Sequence, residues 1–299
     1  MFRTFVDIGV VRWFLVDAKL EPWMEYTGLG ICLLVCLIVP YLLGQLNFAI
    51  ILSKKQFGVD IRNYGSGNGG TTNMLRTFGK KSAIITLGGD MGKAVVACLV
   101  GYIFLGRLGA FIAGLFCILG HTMPIKYKFK GGKGVACVAA VILMTDLGNA
   151  WHLPITFFVM LTMFALIALG LKFVSLASVM CMLVYPLMMH EMEMLIQSSV
   201  GVVLTESGIY TIIALMMALL IVFMHRENIK RLLNGTESKL DLSGKQKTLY
   251  AESVEENATQ KTTEAEDEIA EEPTKAKRSP NPDRPNPNTS KKKQKRNKK

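Results

Sequence analysis

Apolar residues run in seven long stretches, at roughly 28–53, 82–105, 109–125, 134–149, 152–171, 174–190 and 207–224. An α-helix needs about 20 residues to cross about 30 Å of hydrocarbon, and most of the stretches come close to that, the third and fourth being short. Inside hydrocarbon the backbone must satisfy its own hydrogen bonds, so the pattern predicts helices. Pro40, Pro124, Pro154 and Pro186 interrupt or border the stretches; such breaks are tolerated where neighbouring helices or a cavity take up the freed backbone groups. The expected fold is all-α, a polytopic membrane protein with seven transmembrane helices.

The connections carry unequal charge. Lys54, Lys55, Arg62, Arg76, Lys80 and Lys81 lie between the first two stretches, Lys126, Lys128, Lys130 and Lys133 between the third and fourth, and Lys172 after the fifth. The alternate connections hold Arg107 and otherwise no cation, with Glu191, Glu193 and Glu206 after the sixth stretch. Cationic loops stay cytoplasmic, which predicts a multi-pass protein of the cell (cytoplasmic) membrane with its N-terminus outside and its C-terminus inside.

The ends differ from the 28–237 body. Residues 1–27 mix Phe2, Phe5, Trp13, Phe14 and Trp23 with Arg3, Arg12 and Lys19, which fits either a helix lying in the outer interface or a loosely held extension. No small-residue cleavage site follows, arguing against a cleaved signal peptide. Residues 238–299 have almost no large apolar side chains, and an acidic block around 264–272 precedes a Lys-rich end. A segment of that kind cannot bury enough apolar surface to offset its ordering entropy, so a disordered charged tail is expected.

Composition agrees: 51% of residues are hydrophobic and mean hydropathy is +0.34, too apolar for an ordinary water-soluble domain. The formal charge is +11; residues 238–299 hold fifteen Lys and Arg against eleven Asp and Glu, a surplus of +4 that leaves +7 on the body. That balance suits anionic lipid, anionic substrates or both. Cys32, Cys36, Cys98, Cys117, Cys137 and Cys181 all fall in apolar runs without paired spacing and read as core residues, with no metal site expected.

Most polar residues of the body form three clusters, which the charge pattern places on one side of the membrane. The first is Gly65–Ser66–Gly67–Asn68–Gly69–Gly70–Thr71–Thr72–Asn73, followed by Arg76 and, within the second apolar stretch, Asp90 and Lys93. Glycines let backbone N–H groups turn towards an anion, and an arginine can grip a phosphate with two parallel bonds. Asp90 and Lys93 share a helix face at a spacing of three and can neutralise each other; Asp90 is read as structural, while Lys93 is either its partner or a phosphate ligand.

The second cluster runs from Gly120–His121 through Pro124 to Gly131–Gly132–Lys133–Gly134 at the start of the fourth stretch. Such a turn aims free N–H groups and the positive end of a helix dipole at one point, the recipe for holding a phosphate, although it lacks the spacing of a Walker motif. The lysines before Gly131 read as a membrane anchor. The third cluster starts with Ser175 and Ser178 and resumes where the chain leaves the last stretch, with His225, Asn228 and Arg231 three apart and expected to form one stripe on a helical face, then Gly235 and Glu237.

No Gly-x-Ser-x-Gly elbow occurs, and none of His121, His152, His190 or His225 is followed by Asp five positions on. Acyl transfer on this scaffold therefore calls for an activated donor. A transporter or channel for a phosphorylated solute is the main competing reading, weakened because the polar residues gather on one side. A phosphotransferase acting on a lipid carrier would need Asp-rich Mg²⁺ ligands, and only Asp90 and Asp146 lie within the stretches.

In order and spacing the clusters resemble the three motifs of the acyl-phosphate-dependent glycerol-3-phosphate acyltransferase (PlsY) family. Ser66–Asn73 with Arg76 matches its first motif, Gly120–Gly134 its second, and His225, Asn228, Gly235 and Glu237 its third. Thr71 and Met123 stand where that family usually has Ala and Phe, and Ala94 replaces the Gly after Lys93. The resemblance implies seven helices and transfer of an acyl group from acyl phosphate to the 1-hydroxyl of glycerol 3-phosphate, giving lysophosphatidic acid, with no cofactor. It implies catalytic roles for Ser66, Arg76, His225 and Asn228 and a structural one for Glu237. Asn68, Asn73, Lys93, His121, Gly131, Gly132, Lys133 and Gly134 are the expected substrate and phosphate contacts. His225 is either a base or a holder of phosphate. Expected partners are the two substrates, membrane lipids and, as a candidate, the enzyme that makes acyl phosphate; no specific nucleic acid is expected.

Overall fold

The computed structural model describes residues 21–148, 154–200 and 207–241; most of the expected N-terminal extension, His152 and the tail from residue 242 lie outside these. Among the described residues every regular element is helical: α1 (Pro22–Gly44), α2 (Phe48–Phe57), α3 (Thr71–Phe78), α4 (Lys80–Thr122), α5 (Val135–Leu147), α6 (Ile155–Gly170), α7 (Val174–Val200), α8 (Ser207–Met224) and α9 (Arg226–Leu233), with short 3-10 turns at Ile61–Asn63 and Ile125–Tyr127.

The first apolar stretch is two helices. α1 starts early, with Pro22 in its first turn, and stops at Gly44. Asn47 then caps α2, its side chain accepting from the Ile50 N–H.

α4 is a hairpin. Its 43 residues include Leu105 and Gly106, which leave the helical region, Gly106 at φ 60°, where glycine is at ease and side chains are not. Lys93 Nζ lies 2.7 Å from Nδ1 of His121, 28 positions on, whereas a straight helix would separate those residues by about 42 Å. The arms touch through Gly101 and Gly109: a Cβ on either would come within 2.1 Å of the other's carbonyl oxygen. Small residues at helix crossings permit this approach in membranes.

Among the described residues, three segments can cross a membrane by length and composition, Pro22–Phe57, Lys80–Tyr127 and Val174–Ile196, or four if α8 and α9, bent by 58°, count as one. The expected seven is therefore not reached by that measure. Two apolar stretches are joined in α4, while α5 and α6, with 13 and 16 residues, rise only about 20 and 24 Å. Even so the exterior is apolar: Ile31, Leu34, Ile38 and Leu42 on α1 and Leu215, Leu219 and Phe223 on α8 are exposed, the outward face that lipid selects and water penalises.

One core, including Phe111, Ile118, Val141, Tyr185 and Met217, joins α4, α5, α7 and α8. A smaller one, Ala49, Ile50, Ile61, Met74 and Phe78, fixes α2 and α3 at one end. All six cysteines are buried and free. Glu193, expected in a connection, instead lies within α7, fully buried, and meets the Arg107 guanidinium at 2.6 Å. Arg107 itself leaves the α4 turn and spreads over the Tyr210 ring, 4.8 Å from its centroid.

Candidate active site

The first loop is organised by Asn73, which is buried in the first turn of α3. Its Oδ1 accepts from the Ser66 N–H at 2.9 Å, and its Nδ2 donates to the carbonyls of Tyr64 (2.9 Å), Asn68 (3.1 Å) and Ile61 (3.2 Å). Asn73 thus spends its polar atoms within its own loop and leaves Ser66 exposed at the tip. Gly65 and Gly67 have φ of 57° and 70°, so the loop needs their left-handed backbone.

The second loop leaves α4 at Thr122, and its backbone closes on His121, whose carbonyl accepts from the Gly132 N–H at 3.1 Å. Gly132 has no room for a side chain: a Cβ there would lie 2.1 Å from His121 Nε2 and 2.6 Å from the Gly69 carbonyl oxygen. The first and second loops therefore meet at Gly69 and Gly132. Lys133 points onward to the third motif, where its Nζ donates to Asn228 Oδ1. Gly134, at φ 83°, turns the chain into α5.

The third motif is a bend. α8 ends at Met224, and His225, buried, sits at the N-cap position of α9, so it stands at the elbow instead of continuing one stripe with Asn228 and Arg231. Its Nδ1 lies 2.8 Å from the Ile221 carbonyl oxygen. Asn228 and Arg231 do share a face, and both reach Glu237: Asn228 Nδ2 donates to Oε1 at 2.6 Å and Arg231 Nε to Oε2 at 2.8 Å. Ser175 adds a 2.7 Å bond to the same carboxylate, whereas Ser178 turns back to its own helix, bonding the Val174 carbonyl. Arg76 closes the ring from the first motif, donating through both terminal nitrogens to Ser238, next to Glu237.

Charge is concentrated where these groups meet. Burial pulls the Lys133 ammonium down to about 8, against the opposing pull of Glu237, with Arg231 and Arg76 adding to the fall. Burial also lowers Arg76, partly offset by Glu237. For Glu237 burial works upward, but the bonds from Asn228, Ser175 and Arg231 outweigh it and hold the carboxyl below its usual range. The junction gathers three cations, Arg76, Lys133 and Arg231, around the single Glu237 carboxylate.

Lys93 and His121 lie one layer deeper. Both are buried, with Lys93 Nζ 2.8 Å from Asp90 Oδ1. Asn68 contributes its carbonyl to the first loop, and Gly131 passes close above the His121 carbonyl.

Several residues that hold the loops are not prominent in the sequence. Asn47 donates to the Gly69 carbonyl at 2.9 Å, and Gln45 accepts from the Lys126 N–H at 2.9 Å; two amides inside an otherwise apolar run are the signal that marks them. Arg62, bonded to Asp60 at 2.7 Å, reaches across to the Lys130 carbonyl at 3.1 Å and covers Tyr127. The hydrogen bond from Arg62 is the main reason the Asp60 carboxyl sits well below its usual range.

The family model for glycerol-3-phosphate acyltransferase matches residues 34–235. A glycerol-3-phosphate acyltransferase of Thermoanaerobacter pseudethanolicus is 38% identical over 203 residues, covering 68% of this chain and 93% of that protein; one of Bacillus subtilis is 32% identical over 207 residues, covering 68% and 95%. Among solved structures, the fold is similar to that of PlsY (YgiH), an integral membrane glycerol 3-phosphate acyltransferase, in its glycerol 3-phosphate form. The TM-score is 0.58 at 32% identity, covering 70% of this chain and 96% of that one. The lysophosphatidic acid form of the same enzyme gives a TM-score of 0.57 at 30% identity. With the matched segment containing the first two motifs and the third as far as Gly235, the chain belongs to the glycerol-3-phosphate acyltransferase family.

Proposed function

We propose that this chain transfers an acyl group from acyl phosphate to the 1-hydroxyl of glycerol 3-phosphate, releasing lysophosphatidic acid and inorganic phosphate at the inner face of the cell membrane. The observation that carries the reading is the ring of contacts Gly69–Gly132, Lys133–Asn228 and Arg76–Ser238, which joins three distant motifs around one cluster of cations.

An acyl phosphate is a mixed anhydride with a good leaving group, so the enzyme's task is to bring two anions into register. Orientation of that kind is worth about 7 to 11 kcal/mol. Arg76 and Lys133 neutralise the phosphates together with the N–H groups of the two glycine loops. Ser66 and Asn228 orient the attacking hydroxyl and the oxyanion that forms as it adds. With Nδ1–H held by the Ile221 carbonyl, a neutral His225 offers Nε2 as an acceptor for the hydroxyl proton. As the carbon–oxygen bond to glycerol forms and the bond to phosphate breaks, that proton ends on the released phosphate.

The membrane body spans 28–237 and crosses seven times, counting α1, the two arms of α4, and α5 to α8, with the N-terminus outside. The cations of three connections, and Arg226, Lys230 and Arg231 after α8, support this orientation, the opposite connections holding Arg107 as their one cation. In the Gly131–Lys133 turn Gly132 is buried and its two neighbours are half-buried, so a phosphate held there is partly desolvated. The enzyme that makes acyl phosphate is a candidate partner for this reaction.

Purified, folded protein given radiolabelled glycerol 3-phosphate should acylate it with acyl phosphate and not with acyl-CoA, and Arg76→Ala should abolish turnover. Wild-type activity in Arg76→Ala would refute the anion clamp. Gly132→Ala should chiefly raise the glycerol 3-phosphate KM, because its Cβ collides with the loop.

A further inference from the structure

Beneath the phosphate loops lies a buried polar hub. Lys93 Nζ has four neighbours that accept: the Leu46 carbonyl at 2.7 Å, His121 Nδ1 at 2.7 Å, Asp90 Oδ1 at 2.8 Å and the Gly44 carbonyl at 3.1 Å. Asp90 Oδ1 also lies 3.6 Å from the His121 ring and within 3.4 Å of the Phe48 N–H, and Cys137 donates to the Asp90 carbonyl. Lys93, Asp90 and His121 are each at least 95% buried, with exposures of 5%, 1% and 3%.

The chemistry of these contacts fixes a proton. An ammonium has three N–H donors and no acceptor, and the three shortest contacts use all three. Of those three partners the Leu46 carbonyl and the Asp90 carboxylate can only accept, and an ammonium has no lone pair to take a hydrogen from the third, His121 Nδ1, which must therefore accept as well. The neutral imidazole must then carry its hydrogen on Nε2. Nε2 is the atom that faces Gly132, where an added Cβ would lie 2.1 Å from it.

We propose that Asp90 and Lys93 are positioning residues that hold His121 as its Nε2–H tautomer, and that this N–H sets the Gly131–Lys133 turn for the phosphate of glycerol 3-phosphate. Lys93 therefore acts on the substrate through His121, without touching it. The arrangement accounts for a charged pair kept at membrane depth, where such groups are costly: the pair delivers a directed donor under a loop made otherwise of backbone. It rests on the acyltransferase reading above for the identity of the phosphate, whereas the tautomer does not.

The test separates the two. In full-length protein labelled with ¹⁵N-histidine, with the His121 signals assigned through His121→Gln, NMR at neutral pH should show His121 protonated on Nε2 only. Lys93→Met alone leaves a buried carboxylate unpaired and endangers folding, so the informative variant is Asp90→Asn with Lys93→Met, which removes both charges. It should lose the single tautomer and raise the glycerol 3-phosphate KM by roughly 10-fold or more, the usual scale for removing a histidine's orienting partner, with kcat much less affected. Acyl phosphate turnover by the wild type in the same preparation checks the acyltransferase reading by itself. An Nδ1-protonated or doubly protonated His121 in the wild type, or a double variant with wild-type KM, would overturn the relay.

Discussion

Lys133 and Asn228 stand 95 positions apart in the chain and meet side chain to side chain, the ammonium of one donating to the amide oxygen of the other. The same amide then donates to Glu237, so a single asparagine couples the Gly131–Lys133 turn to the bend after α8. Asn228→Leu keeps much of the volume and removes both bonds. Its kcat should fall by roughly 100- to 1,000-fold, the range measured for losing one oxyanion donor, in an acyl phosphate assay on protein shown to be folded by its thermal transition. A loss below threefold would mean that Asn228 only braces Glu237.

Lys133 gives a pH signature in which activity and stability move in opposite directions. Its ammonium is lowered by burial to about 8, whereas an exposed lysine titrates near 10.4. Between those values the folded chain has released a proton that the unfolded chain still holds, so the Lys133 contribution to stability rises with pH across that window. Phosphate binding needs the charged form, so glycerol 3-phosphate KM should climb above about pH 8. Thermal unfolding and KM of wild type and Lys133→Met, compared from about pH 7 to 10, check both halves. Parallel pH profiles for the two proteins would exclude Lys133 as the titrating group.

Much of this was legible in the chain because its causes are local. Apolar runs specify helices, and glycine-rich stretches at 65–73 and 131–134 mark the two loops that meet at Gly69 and Gly132. Other features depend on long-range approach. The spacing of Asp90 and Lys93 says that they share a face but not that His121 folds back onto them, which requires the reversal at Gly106. Glu193 reads as a polar residue of a connection, since only the partner Arg107, 86 positions earlier, makes its burial tolerable. Treating 225–231 as one helical stripe misses the elbow at His225, because nothing as local as a proline marks it.

Gly120 opens the second motif, yet its physical reason is packing and not phosphate. A Cβ at Gly120 would sit 2.1 Å from the Tyr41 carbonyl oxygen, and one at Gly44 2.2 Å from that of Cys117. Both obstacles are backbone, so α1 and α4 could not relax without separating. Gly120→Ala should cost roughly 1 to 3 kcal/mol of stability, the usual penalty for overpacking, and lower the thermal midpoint in detergent. Because α1 ends at Gly44 and leads directly to Leu46, whose carbonyls hold Lys93, activity per folded molecule should fall too. An unchanged midpoint would show that the helices cross less closely than described.

Arg107 and Glu193 provide the opposite case, a charged pair remote from the reaction. The guanidinium meets the fully buried carboxylate at 2.6 Å, lies against Tyr210, and donates through Nε to the Thr145 carbonyl at 3.3 Å, tying α4, α5, α7 and α8 together. Removing one partner strands the other charge, which typically costs about 3 to 5 kcal/mol. Arg107→Met and Glu193→Gln should therefore each sharply lower thermal stability, whereas the double variant should recover part of the loss, since no charge is then left alone. Activity per folded molecule should stay near wild type in all three. A double variant no more stable than the worse single one would mean that the cation–π and backbone contacts of Arg107, and not the ion pair, hold this end of the bundle.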